Sequence, residues 1–209
     1  MVGRSRLVAH VAVGVPLPAV PDQSPVEATR RRLTGKRADT VLKLGAATVE
    51  VLGEVGYSEL TVPLVAAKAG LARATAYIYF SSKEHLVAEV YWRRLTTATP
   101  PANDSPEMIE RVVSVLRYLA LNVADEPEFA AAVTQALLSN DSDVEQLRFQ
   151  ISREIHRLLV AAVGSEGSSR DVGLLELVYT GAMVRAGMGH LSYGEVADQL
   201  EAAARQILA

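Results

Sequence analysis

The stretch Thr61–Leu86, TVPLVAAKAGLARATAYIYFSSKEHL, holds two short helical patterns that meet at Gly70. Thr61 can cap the first, which carries Val62, Val65, Ala66 and Ala69; Pro63 falls in its opening turn, where the missing N–H is not needed. Gly70 stops it. The spacing predicts a second short helix over about residues 72–79, and Ser82 restarts a third. Two helices joined by a tight glycine turn form a helix-turn-helix, whose second member can lie in the major groove of DNA. Here that member carries Arg73, Thr75, Tyr77 and Tyr79, while Leu71, Ala76 and Phe80 can point to a core. An arginine fork bonds guanine bidentately, threonine meets a polar base edge or a thymine methyl, and tyrosine and lysine suit phosphates. Base contact is therefore expected of Arg73 and Thr75, and phosphate contact of Tyr77, Tyr79, Lys83 and the Thr61 helix end.

The charge distribution agrees. Residues 1–95 hold 13 Lys or Arg against 8 Asp or Glu, net +5, whereas residues 96–209 hold 8 against 16, net −8. A basic front half suits a polyanion and an acidic rear half would be repelled by it, which orients the molecule on DNA. Cysteine is absent, which excludes disulfides and zinc-finger chemistry and suits a reducing cytoplasm. His10, His85, His156 and His190 show no metal-ligand spacing, so neither metal nor cofactor is expected.

Outward from the motif, Val41, Leu44, Thr48, Val51, Leu52 and Val55 recur every three or four residues, predicting a helix that Asp39 caps and Gly56 ends. Ahead of it lie Arg30-Arg31-Arg32, Lys36 and Arg37, either a solvated flexible arm or one that reaches an adjacent minor groove or phosphates. The apolar run Leu7–Val20 is broken by Pro16 and Pro18, too short and interrupted for a membrane span, and reads as a disordered tail or an upstream start rather than a secretory signal. Downstream, helices are predicted from Ser82 to about Leu95, from the Ser105-Pro106 pair to about Val123, from Pro127, from Asp141–Asp143 to Val163, over 170–190, and from the Ser192/Glu195 capping box to Leu208. The 170–190 segment is apolar nearly all round, with Gly181, Ala182, Ala186 and Gly187 among Leu177, Val178, Met183 and Val184, so it is expected to be buried. No strand pattern or internal repeat of any strength is present. The expected architecture is all-α: a flexible arm over 1–35, a three-helix helix-turn-helix domain over 36–82, and a helical bundle over 83–209.

At Gly56-Tyr57, Thr61-Val62, Val65-Ala66, Ala69-Gly70-Leu71, Thr75, Tyr77, Tyr79-Phe80, Ser82-Lys83-Glu84 and Leu86 the chain resembles the TetR family of bacterial transcriptional repressors. The matching residues stand in order and at the family's spacing over roughly 50 positions, while the rest of the chain fits in length and helical character. Where the family pattern places a capping serine, Ala72 stands. The resemblance implies a cytoplasmic homodimer paired through its last two helices, a palindromic double-stranded DNA operator, and a small-molecule effector held in the bundle. Sparse charge on the bundle faces favours a lipophilic effector such as a fatty or sterol-like acid or its thioester. Trp92, Met108, Phe129, Leu137, Ile151, His156, Tyr179 and Met183 are the candidate lining residues by size and direction.

An enzyme is not expected: the chain has no glycine-rich phosphate loop, no HExxH and no nucleophile elbow, and the pairs Asp125/Glu126 and Asp141/Asp143 stand at helix starts, where carboxylates offset the helix dipole. The competing reading is a helical interaction protein, or an architectural DNA binder without an effector. Preference for one DNA sequence over random DNA separates the two.

Overall fold

The computed structural model describes residues 35–100 and 104–209; the tail, the Arg30–Arg32 cluster and the bulk of the expected arm lie outside them. Among the described residues there are nine helices and no strand: α1 Lys36–Glu59, α2 Val62–Lys68, α3 Arg73–Tyr79, α4 Lys83–Thr97, α5 Met108–Leu121, α6 Pro127–Leu137, α7 Ser142–Val163, α8 Ser169–Gly187 and α9 Tyr193–Ile207.

Local chemistry sets most of the boundaries. Gly56 adopts φ 71°, ψ 174° and breaks α1 where the sequence predicts its end. Pro127 opens α6, and the Asp141 carboxylate accepts from the N–H groups of Asp143 and Val144 at the start of α7. The Ser192/Glu195 capping box forms at α9, and a second, Ser168/Asp171, forms at α8. Two starts differ from expectation. α1 begins at Gly35 and Lys36, which places Asp39 in the first turn rather than at the cap. α5 begins at Met108 rather than at Ser105, because Arg111 holds the lead-in extended: its Nη1 donates to the carbonyls of Ser105 and Pro106 at 3.1 and 3.0 Å, and its Nε to that of Ala162 at 3.0 Å.

α4 runs through the middle. His85, Leu86, Val87, Ala88, Glu89, Val90 and Tyr91 are buried in succession, which a helix permits only when it is covered on several sides; α1, α6 and α7 do so. The buried Glu89 carboxylate accepts from Arg93 Nε at 2.8 Å. α5 packs on α9, with Arg117 bridging to Asp198 and Glu201. α6 and α8 approach so closely that a Cβ on Gly187 would lie 2.4 Å from the Cβ of Thr134. Gly187→Ala is accordingly expected to force the two helices apart and to cost about 1–3 kcal/mol, read as a lower midpoint in urea.

α8 corrects one expectation. Only its Val172, Leu175, Tyr179 and Ala186 side is buried within the subunit, while Leu174, Leu177 and Met188 are exposed, Leu177 at 70%.

Candidate nucleic-acid interface and effector cavity

The helix-turn-helix is assembled by short-range chemistry. Thr61 Oγ1 accepts from Leu64 N–H at 3.3 Å and caps α2. Gly70, at φ 68°, lets the chain reverse while Leu71 N–H donates to the Ala66 carbonyl at 2.8 Å. Lys68 is drawn back onto Glu50 and Glu54 at 3.3 and 2.6 Å. α3 then starts without a side-chain cap, the Ala72 carbonyl accepting from Thr75 and Ala76 N–H.

α3 has two clear faces. Ala76, Tyr79 and Phe80 are buried, at 0, 7 and 1% exposure, and fix the helix to the core. Arg73, Ala74, Tyr77 and Ile78 are exposed and Thr75 is half-buried. The Arg73 guanidinium lies 5.5 Å from the centre of the Tyr77 ring, one turn on, so the fork is braced before any partner arrives. Tyr79, three residues from Ala76, falls on the inner face, where its ring packs against the core. Lys83 is also partly committed. Its Nζ donates to the carbonyls of Tyr57 and Ser58 at 2.8 and 3.3 Å over the Tyr57 ring, leaving one of its three donors for a phosphate. Ile78, 47% exposed, was not expected; an apolar residue on a reading helix meets thymine methyls, and its position one residue from Tyr77 was the available signal.

Behind α3 the chain is tied to the bundle. Ser81 Oγ donates to Asp143 at 2.5 Å and Ser82 Oγ to Asp141 at 2.6 Å, while the buried His85 ring approaches Ser81 Oγ at 3.1 Å and Asp143 at 3.6 Å. The α7 carboxylates thus grip the α3–α4 junction as well as starting their own helix. Burial pushes the Asp141 carboxyl up, but the Ser82 hydroxyl and the two α7 N–H groups outweigh it and hold its pKa below the ordinary value. The bonds therefore stabilise the fold fully above the unfolded Asp pKa of about 3.9, and that stabilisation is lost as pH falls through the lower folded value. Asp141→Ala is expected to lose about 0.5–2 kcal/mol at pH 7 and to show a shallower decline in stability below pH 4 than the parent, in urea titrations at stepped pH.

Between α4, α6, α7 and α8 lies a cavity of about 180 Å³. Of the expected lining residues, Leu137, Ile151, Tyr179 and Met183 meet there. The other four do not. Phe129 is fully buried beneath the Arg94 guanidinium, 4.3 Å from its ring centre; Met108 stands at the start of α5 beside Gly167; His156 is exposed and paired with Glu176 at 2.8 Å; Trp92 is half-buried outside the wall. Tyr91, Val133, Arg148 and Ile155 also line it and were not expected. Burial raises the pKa of both the Tyr91 and Tyr179 phenols, so both stay protonated.

Residues 44–90 match the family described as bacterial regulatory proteins, tetR family. An HTH-type transcriptional regulator of Mycobacterium tuberculosis (strain ATCC 25618 / H37Rv) is 47% identical over 163 residues, 77% of this chain and 76% of that protein. The chain belongs to the TetR family. Its helix-turn-helix is thus the DNA-binding part of a transcriptional regulator. Two solved TetR-type structures share the fold. A TetR transcriptional regulator from Rhodococcus sp. RHA1 superposes with a TM-score of 0.69 at 19% identity, covering 84% of this chain and 98% of that one. The transcriptional regulator FadR from Bacillus subtilis, in complex with stearoyl-CoA, gives 0.60 at 17% identity, covering 80 and 97%. Among the described residues of this TetR-family chain, no three or more His, Asp or Glu side chains are grouped to hold a metal ion, and no helix is long and apolar enough to cross a membrane.

Proposed function

We propose that this TetR-family protein is a cytoplasmic homodimeric repressor that grips a palindromic operator with two copies of α3 and releases it when a small lipophilic molecule enters the bundle cavity. The observation that carries the reading is the two-faced α3: a core-anchored side of Ala76, Tyr79 and Phe80, and an outer side offering a braced Arg73 with Thr75, Tyr77 and Ile78. Two-fold pairing through α8 and α9 delivers these helices as a symmetric pair, so the half-sites must be inverted copies one helical turn or a multiple of it apart.

The Ser81, Ser82, His85, Asp141 and Asp143 cluster supplies the route for release. α7 forms one wall of the cavity and its first turn holds the α3–α4 junction, so a shift of α7 on ligand entry moves the reading helix. A ligand drives the switch only by its preference for the released form; a 1:99 to 99:1 swing takes about 5.5 kcal/mol of differential binding. FadR with its stearoyl-CoA supports a lipophilic occupant for a bundle of this fold.

The test is selection of bound fragments from random DNA by the full chain. An enriched, inverted-repeat motif supports the reading. Recovery of fragments with no shared sequence, or of an unpaired half-site alone, overturns it in favour of an architectural binder.

A further inference from the structure

The cavity wall carries its charge at one place. Val133, Leu137, Ile151, Ile155 and Met183 make most of the lining apolar, and the buried Tyr91 and Tyr179 phenols are neutral. Arg148 is the charged residue of this wall among the described residues. Its Nη1 donates to the carbonyls of Leu137 and Ser139 at 2.7 and 3.4 Å, which holds the guanidinium at the C-terminal end of α6. Capping α6 accounts for Nη1 alone. The other partly buried arginines, Arg93, Arg94, Arg111 and Arg117, each pair with a carboxylate. Arg148 has no such partner among the described residues, so its remaining N–H donors stand at the edge of an apolar hole with a full positive charge and no anion. A guanidinium is charged at any working pH and is shaped to take two oxygens of one carboxylate.

Size adds a second constraint. A cavity of about 180 Å³ is close to the roughly 150 Å³ hole that takes a benzene ring, and below the 300–1,000 Å³ of pockets for full-sized ligands. We propose that the effector is a compact apolar monocarboxylate, its carboxylate on the Arg148 fork and its short hydrocarbon body against Leu137, Ile151 and Met183, rather than a sterol or a coenzyme A thioester. This rests on the reading of the cavity as the effector site. A free acid is selected over its thioester because esterification removes the charge that Arg148 faces, and over the matching alcohol for the same reason.

Octanoate, 1-octanol and octanoyl-CoA, titrated into the full chain by calorimetry without DNA, test it. Octanoate is expected to bind at least about tenfold more tightly than octanol or octanoyl-CoA, and Arg148→Met to remove that advantage while leaving octanol binding in place. Should Arg148→Met fail to fold for want of the α6 cap, Arg148→Lys replaces it, with octanoate bound more weakly than by the parent but still ahead of octanol. Equal binding of octanoate and octanol by the parent, preference for octanoyl-CoA, no binding of any of the three, or full octanoate affinity in Arg148→Met would overturn the assignment. Because no DNA is present, these failures leave the repressor reading intact, and a failed operator selection leaves this binding result intact.

Discussion

Leu177→Arg is expected to yield a folded chain that sediments as a single subunit and holds operator DNA about a thousandfold more weakly than the parent. Gly173, Leu174, Leu177, Thr180, Gly181 and Met188 follow one another at helical spacing along α8, and all are exposed. In the proposed homodimer this stripe is the pairing surface, and its glycines allow a second helix to come close. In a two-fold pair the same stripe meets itself, so a residue near the middle meets its own copy or a close neighbour of it. An arginine there sets two positive charges against each other near the middle of the stripe, where pairing would strip them of water. Within the subunit Leu177 is 70% exposed, so the change leaves the core untouched and the helical circular dichroism should not move. Affinity falls because one subunit reaches one half-site, and the specific contacts of the second are lost. A variant that stayed dimeric would place the pairing surface elsewhere.

What the sequence made legible was local chemistry. Thr61, Pro127, Asp141 and Ser192 open helices where the residues predict, because a cap or a proline acts within one turn of its own position. Distant groups decided the misses. Ser105-Pro106 has the right order for a helix start, yet Arg111 captures both carbonyls and delays α5. Tyr79 sits in a helix of seven residues, too short for periodicity to fix its rotation, and packing turned it inward. α8 is apolar enough to read as core, but under the proposed pairing the cover for its outer face is another copy, which leaves no mark in one chain's pattern. The cavity was half legible for a similar reason: Leu137, Ile151, Tyr179 and Met183 show themselves by size, whereas Arg148 looks like any cation on the polar side of a helix until α6 is folded against it. The Asp141/Asp143 pair was read as dipole compensation, and only the fold shows that Ser81 and Ser82 wait across a gap of about 60 residues in sequence.

Arg73→Ala separates base reading from backbone holding. Arg73 is exposed in the first turn of α3, the end of a recognition helix that enters the groove, and the Tyr77 ring restrains its guanidinium. If the fork meets a guanine, truncation removes two parallel hydrogen bonds to that base. The expected cost on the operator is about 1–3 kcal/mol, roughly 5- to 150-fold, with the preference relaxed at a single base pair of each half-site. Binding to random DNA should fall much less. Arg73→Lys should recover little, because an ammonium keeps the charge but cannot reproduce the fork. Lys83→Ala is expected to give the opposite pattern: if its one uncommitted donor serves a phosphate, all sequences weaken together and the slope of log affinity against log salt drops by about one per subunit. Affinities of the three variants for the selected operator, for its single-base derivatives and for random DNA, each at several salt concentrations, distinguish the roles. A uniform loss across every sequence in Arg73→Ala would make Arg73 a phosphate ligand and pass the reading of bases to Thr75 and Ile78, the remaining outward side chains suited to thymine methyls.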